Sequence, residues 1–229
     1  VQTQYYHVNR ETPDTGVLTQ AARILQQGGL VAFPTETVYG LGANGLDAQA
    51  VAGIYQAKGR PSDNPLILHI ADRCELDRLA RSVPANAEVL IKKFWPGPLT
   101  LVLERTACVP DAVTGGLDTV AIRMPNSAVA RELIRLAGVP LAAPSANTSG
   151  RPSPTTAQAV LADLSGRIDA ILDAGPSNIG VESTVIDCTT PVPTLLRPGG
   201  VTLEMLLDVL GEVEVDPALS SGKTVPRSP

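Results

Sequence analysis

The sequence predicts an α/β domain with a mixed sheet and flanking helices. Three observations carry that expectation. Short apolar runs of strand length alternate with stretches whose apolar residues recur at helical spacing. Aromatic residues are only 3% of the chain against 44% hydrophobic overall, so the core must come from Val, Leu, Ile and Ala. That composition suits alternating strands and helices better than an aromatic-rich β sandwich. Several successive strands have no helix between them, which makes the sheet mixed rather than purely parallel.

Taken in order, Val17, Leu18, Ala21, Ala22 and Leu25 repeat as a helix that Gly28-Gly29 ends. A short apolar strand follows at residues 30–33. Asp47 reads as the N-cap of a helix carrying Val51, Ile54 and Tyr55 into Lys58. Residues 66–70 read as a buried strand. Helical stretches at Leu76–Leu79 and Ala85–Phe94 come next, the second broken by Trp95-Pro96-Gly97-Pro98. Strands are expected at Leu99–Glu104 and 119–124, a helix at 127–137, and a strand at 141–143 that opens into the loop PSANTSGRPSP. A helix at 156–164 and strands at Ala170–Asp173, Thr184–Asp187 and 194–196 lead to a final helix at Leu203–Leu210. Residues 1–212 read as the domain. Residues 213–229, polar and proline-bearing, read as the start of a linker or a cut end.

A chain of 229 residues can bury a real core as one large domain or two small ones. A formal net charge of -5 supplies no global positive field to attract nucleic acid, although a local basic groove stays compatible with it. Cys74, Cys108 and Cys188 are odd in number and widely spaced, which suits a reducing compartment. No signal peptide or apolar run of spanning length is visible, so a cytoplasmic protein without membrane contact is expected. The start at Val1 reads as a trimmed or partial chain.

Familiar catalytic signatures fail. The Ser221-Gly222-Lys223-Thr224 stretch resembles the end of a phosphate-binding loop, but Pro217 stands where that motif needs its first glycine. Two histidines, His7 and His69, make no paired zinc site, and no metal site is expected from side chains alone. There is no GxSxG elbow, no evident Ser-His-Asp set and no GxGxxG between strand and helix.

What remains is a set of polar loops at strand ends, where α/β sheets gather their functional groups. Residues 34–44 (PTETVYGLGAN) offer the Thr35 and Thr37 hydroxyls beside Gly40 and Gly42; a glycine-bearing turn with solvated threonines fits equally. Residues 58–66 (KGRPSDNPL) set Lys58 and Arg60 on a proline-stiffened turn, with Asn64 adding an amide and His69 able to face the same cavity. Lys as a point charge and Arg as a bidentate donor suit a triphosphate. A solvated basic helix end and a satisfied core histidine are the plain alternatives. Residues 144–154 carry Ser145, Asn147, Ser149 and Ser153, and could hold a nucleotide or be a polar surface turn. The last loop joins Glu182-Ser183-Thr184 to Arg197, while Arg123 lies on a buried strand and needs a partner, which a substrate carboxylate would supply.

In this order, PTETVYGLG, KGRPSDNPLILHI, FWPGPLTLVL, VAIRMP, APSANTSG, ESTVID and LLRPGGVT resemble the YrdC family of threonylcarbamoyl-adenylate synthases, across residues 33–201. Each segment is weak alone; the ordered set is very specific. The resemblance implies a twisted open sheet with a large concave site. It also implies a reaction in which L-threonine, bicarbonate or CO2, and ATP with Mg2+ give threonylcarbamoyl-adenylate and pyrophosphate. A separate transferase complex then carries the group to the adenosine beside the anticodon of certain tRNAs. Carried over by position, Thr35 or Thr37, His69, Arg123, Ala143 through its backbone, and Ser183 would hold threonine. Arg60, Asn64, Thr119, Ser145, Ser153 and Arg197 would hold ATP, with Lys58 near the phosphates and Asn147 shaping the nucleotide pocket. Lys58 and Arg60 are the expected catalytic cations. The tail is similar to the start of the linker that leads to a second domain in the two-domain form. One rival is a non-catalytic RNA-binding module, against which the acidic balance and scarce aromatics weigh, leaving weak RNA contact at most. A second rival, a carbamoyl-adenylating maturation factor, would need zinc-binding and acylphosphatase-like segments that this sequence lacks.

Overall fold

The computed structural model describes residues 1–61 and 64–221; Ser62, Asp63 and residues 222–229, which include the Gly222-Lys223-Thr224 stretch, lie outside the described residues. The elements in order are β1 (Gln4–His7), α1 (Thr15–Gln26), β2 (Val31–Phe33), β3 (Gly40–Asn44), α2 (Ala48–Lys58) and β4 (Ile67–His69). A 3-10 turn (Arg73–Glu75) runs into α3 (Leu76–Leu79), followed by α4 (Ala85–Phe94), β5 (Leu99–Glu104), α5 (Asp111–Thr114) and β6 (Thr119–Arg123). Then come α6 (Ala128–Ala137), β7 (Leu141–Ala142), α7 (Ala157–Leu164), β8 (Ala170–Asp173), β9 (Thr184–Asp187) and β10 (Thr194–Arg197). The last are α8 (Leu203–Leu210), β11 (Glu214–Val215) and α9 (Pro217–Ser221).

Local chemistry sets the helix ends. Asp14, Asp47, Ser127, Thr156 and Thr202 each accept backbone N–H bonds as N-caps, satisfying donors the helix leaves orphaned. At the other end of α2, Gly59 takes a left-handed φ of 67° and returns its N–H to the Tyr55 carbonyl. A side chain there would be strained, so glycine is what allows Lys58 and Arg60 to stand on either side of a sharp stop.

The described strands form one eleven-stranded mixed sheet in the order β1-β8-β2-β3-β7-β4-β6-β5-β9-β10-β11. β2 and β3 are antiparallel neighbours, as are β3 with β7, β7 with β4, β6 with β5 and β10 with β9. β4 with β6 and β5 with β9 are parallel. The expected mixed α/β sheet is therefore observed. β11 and α9 fall in the stretch expected as linker: Val215 pairs with Leu195, and Asp216 is buried.

The two faces of the sheet are covered unequally, and this positions the site. One face is packed by α2, α4, α5, α7 and α8 in a continuous core that includes Leu68, Ile122, Leu101 and Ile186. The other is covered by α1 and α6 over β2, β7 and β8, through Leu18, Leu25, Leu133 and Ile134 against Val31, Leu141 and Leu172. Each such leucine or isoleucine contributes roughly 1.5–3 kcal/mol by burial. Past β7 no helix among the described residues joins this layer. The residues on the same face of the remaining strands form a small cluster of strand side chains alone: Ile67, Val102, Ala121, Val185 and Leu196. Because side chains alternate along a strand, His69, Arg123 and Thr119 share that uncovered face with Ile67 and Ala121. No helix among the described residues is long and apolar enough to cross a membrane.

Candidate functional site

A cavity of about 180 Å³ opens on the uncovered face and is lined from all four of the loops singled out in the sequence. Its floor is His69 on β4 and Arg123 on β6, which are register partners. His69 is fully enclosed: its Nδ1 lies 3.2 Å from the Ile67 carbonyl, and its ring meets Phe33 edge-on at 6.1 Å. Burial, with the Arg123 charge beside it, pushes the imidazole down to about 3, so His69 is neutral at any physiological pH. An unfolded chain takes up a proton below 6.5 that the folded chain refuses. The stability this contributes is whole above 6.5 and is lost as pH falls from there toward 3, by about 1.4 kcal/mol per pH unit for one proton. In His69→Asn the loss of denaturant stability between pH 6.5 and 4.5 should be shallower by about that slope. Parallel curves for the two proteins would exclude the assignment.

Arg123 does not await a ligand for its counter-charge, as the sequence reading had it. Its Nη1 pairs with Glu36 Oε1 at 2.8 Å, both side chains being almost wholly buried. The same nitrogen donates to the Gly97 carbonyl, and Nη2 donates to Thr37 Oγ1 at 3.1 Å. The other Glu36 oxygen accepts the Asn126 N–H. Thr35 Oγ1 donates to the Val38 carbonyl at 2.6 Å and lies 2.9 Å from Thr37 Oγ1. Since the single Thr35 proton is spent on Val38, Thr37 must donate to Thr35. The chain of hydrogen bonds therefore runs from Arg123 through Thr37 and Thr35 to the Val38 carbonyl, which accepts. Thr37 keeps one lone pair for a ligand, whereas Thr35 also accepts from two backbone N–H groups.

Lys58, Ser145 and Asn147 form a second unit. Lys58 is buried, donates through Nζ to the Ser145 carbonyl, and lies 3.5 Å from Asn147 Oδ1. The Ser149 N–H returns to the Lys58 carbonyl, and the Asn147 amide donates to the carbonyls of Thr148 and Arg151. Burial and the neighbouring Arg60 charge lower the Lys58 ammonium to about 8. Lys58 thus stands one layer behind Ser145 rather than on the cavity wall. Arg60 does line the wall with Asn64. Its Nη2 donates to the Pro65 carbonyl, its Nε is buried with no partner among the described residues, and burial holds its pKa down.

Arg197 closes the far side. Strict alternation on β10 would send it to the same face as Leu195, into the core. The pairing with β9 shifts register between Leu195 and Arg197, and such an irregularity re-aims a side chain. Arg197 reaches the Ser183 carbonyl at 2.8 Å, Ser183 Oγ at 3.2 Å and Glu182 Oε2 at 3.2 Å. Ser183 Oγ in turn meets Thr100 Oγ1 at 2.8 Å. Gly199 makes this junction possible: a β-carbon there would strike the backbone of residues 182–184.

Of the sequence-derived residues, Thr35, Thr37, Arg60, Asn64, His69, Arg123, Ala143, Ser145, Ser183 and Arg197 converge on the cavity. The Ala143 N–H is already used on the Ile67 carbonyl, so a backbone contact there falls to another atom. Ser153 stands at the rim, donating to Glu182 Oε1 at 2.8 Å. Thr119 is not brought to the cavity: it is at the start of β6, beside Arg105 and Asp118, with Arg123 at the strand's other end. Sequence reasoning missed the role of Glu36. The signal was present, since a buried arginine on a strand requires a carboxylate, and Glu36 stood in a loop already singled out.

The family model described as Telomere recombination (Sua5/YciO/YrdC) matches residues 23–199. The chain belongs to this family. Two curated relatives are similar to it over most of its length. It is 56% identical over 216 residues to the threonylcarbamoyl-AMP synthase of Pyrococcus abyssi, covering 94% of this chain and 63% of that protein. It is equally similar to the Bacillus subtilis threonylcarbamoyl-AMP synthase, 56% identical over 216 residues, covering 93% of this chain and 62% of the relative. The chain therefore spans somewhat less than two thirds of the length of these curated relatives. Among solved structures, that of P. abyssi Sua5 complexed with L-threonine matches with a TM-score of 0.96 and 54% identity, covering 99% of this chain and 67% of that one.

Proposed function

We propose that this chain is the synthase portion of a threonylcarbamoyl-AMP synthase, which joins L-threonine, bicarbonate or CO2, and ATP into L-threonylcarbamoyladenylate and pyrophosphate. The observation that carries this reading is the convergence of Arg60, Arg123 and Arg197 on one small cavity floored by neutral His69. A cavity of about 180 Å³ suits an amino acid. The nucleotide is then left to lie outward over the uncovered strands, with its phosphates toward Arg60 and Arg197. The L-threonine complex of the P. abyssi protein supports threonine as that amino acid.

The chemistry needs positioning more than proton transfer. Threonine's amine, neutral when it reacts, forms the N–C bond to CO2 and releases a proton to solvent, or forms it to bicarbonate with loss of water. A carbamate oxygen then attacks the α-phosphorus, and the bond to the pyrophosphate oxygen breaks. Arg60 and Arg197, with Lys58 behind Ser145, oppose the charge on the phosphates. Thr37 and Ser183 orient the amino acid. His69 is too weak a base to take the amine's proton, so the rate gain comes from proximity and electrostatics. Among the described residues no group of three or more His, Cys, Asp or Glu gathers to hold a metal. Mg2+ would enter with the nucleotide, as Mg·ATP.

The product would pass to a tRNA threonylcarbamoyl transferase complex, for modification of the adenosine beside the anticodon. A cytoplasmic setting fits the unpaired Cys74, Cys108 and Cys188. The test is pyrophosphate release from Mg·ATP with and without threonine and bicarbonate. Release that requires both is expected. Release indifferent to threonine would remove the substrate assignment, and salt-dependent RNA binding without ATP consumption would favour an RNA-binding module instead.

A further inference from the structure

Glu182 has no part in that chemistry, yet it stands where the phosphates would lie. Its Oε1 accepts from Ser153 Oγ at 2.8 Å, and its Oε2 pairs with Arg197 Nη1 at 3.2 Å. One carboxylate thereby joins the loop after β7 to the end of β10, using two of the donors read as ATP contacts. It is also the acidic side chain whose charge offsets the burial of Lys58, Arg60 and Arg197 in common. Its backbone is held: the Glu182 carbonyl packs against Gly199 and accepts the Gly200 N–H. Its side chain is 39% exposed and has solvent to turn into.

We propose that Glu182 is an internal counter-anion, which neutralises the cation cluster of the ligand-free protein and must rotate aside when a polyphosphate binds. A buried group of like cations is costly without an anion. A triphosphate or pyrophosphate brings several negative charges to the same donors and makes the carboxylate surplus. Glu182 thus acts as a specificity residue. Polyvalent phosphates displace it, whereas a singly charged anion competes poorly with a carboxylate already tethered in place.

This inference rests on the reading that the cavity takes the phosphates of ATP. The test measures binding rather than turnover, using the full chain, inorganic pyrophosphate and Mg·ATP. Glu182→Gln keeps the shape and the Ser153 contact but removes the charge. Both probes should bind about tenfold more tightly to it than to wild type, and the gain should shrink as salt is raised. Glu182→Asp, too short to span Ser153 and Arg197, should show a smaller gain of the same sign, with thermal melts confirming that each variant is folded. Unchanged or weaker pyrophosphate affinity overturns the proposal. So does weakening confined to Mg·ATP, which would make Glu182 a ligand of the nucleotide's metal. Wild-type protein that binds pyrophosphate but makes no adenylate overturns the synthase reading alone; absence of binding in every protein overturns both.

Discussion

Arg60→Ala should lower threonine-dependent pyrophosphate release by about 100-fold or more at saturating Mg·ATP, the scale for losing one preorganised charge at a reacting phosphate. Arg60 lines the cavity, and its Nε has no partner among the described residues. Lys58→Ala should be comparably damaging by a different route. Its ammonium supports the Ser145 carbonyl and Asn147, so alanine loosens the loop of residues 144–154 as well as removing charge. The two variants separate by pH. With the ligand-free ammonium at about 8, wild-type protein should lose ATP affinity as pH rises through that value, because the neutral amine no longer attracts phosphate. Lys58→Ala should lack this decline, whereas Arg60→Ala should keep it at a higher pH, because the Arg60 charge that helps lower the Lys58 ammonium is gone. Near-normal turnover in both variants would overturn the electrostatic account.

Glu36→Ala should be the most destabilising single change at the site. It strands the Arg123 guanidinium, which is 2% exposed, and orphans the Asn126 N–H. Breaking a buried pair from one side costs about 3–5 kcal/mol, a drop of roughly 10 °C in Tm for a domain of this size. Glu36→Gln keeps an acceptor for one of the two donors and should cost less than Glu36→Ala. Glu36→Ala combined with Arg123→Met should recover part of the loss, since the uncompensated charge is then gone. Denaturant melts of the four proteins test this. Stability of Glu36→Ala within about 0.5 kcal/mol of wild type, the range of an ordinary surface change, would mean that water or another group meets the Arg123 charge.

Much of the fold was legible because apolar periodicity and caps coincide: the Asp47 cap with Val51, Ile54 and Tyr55 leading into Lys58 all point to α2. What escaped has physical reasons. β1 is four residues with only its middle two partly buried, too short to show alternation. β3, read as part of a loop, carries two glycines that depress strand propensity, yet Gly42 lies so close to the Phe33 ring that a β-carbon would stand 2.8 Å from it. The cations and hydroxyls of the site were visible as residue types that a turn does not need. Their mutual arrangement was not. The Arg197 orientation depends on a register shift, which the sequence pattern of one strand does not reveal. The Glu36–Arg123 pair spans 87 positions, beyond any local signal.

That separation also governs when the protein becomes able to bind. Lys58 meets residues 145–149, Glu36 meets Arg123, and Arg197 meets residues 182–183. The lining is drawn from separate stretches between Thr35 and Arg197, so the cavity is complete only once β10 has joined the sheet. Long-range closure of this kind comes late in folding. Threonine or nucleotide would then favour only the finished sheet, stabilising it by mass action. Amide exchange in β4 and β6 should slow together with that in β9 and β10 when ligand is added, as one cooperative unit rather than as a local patch.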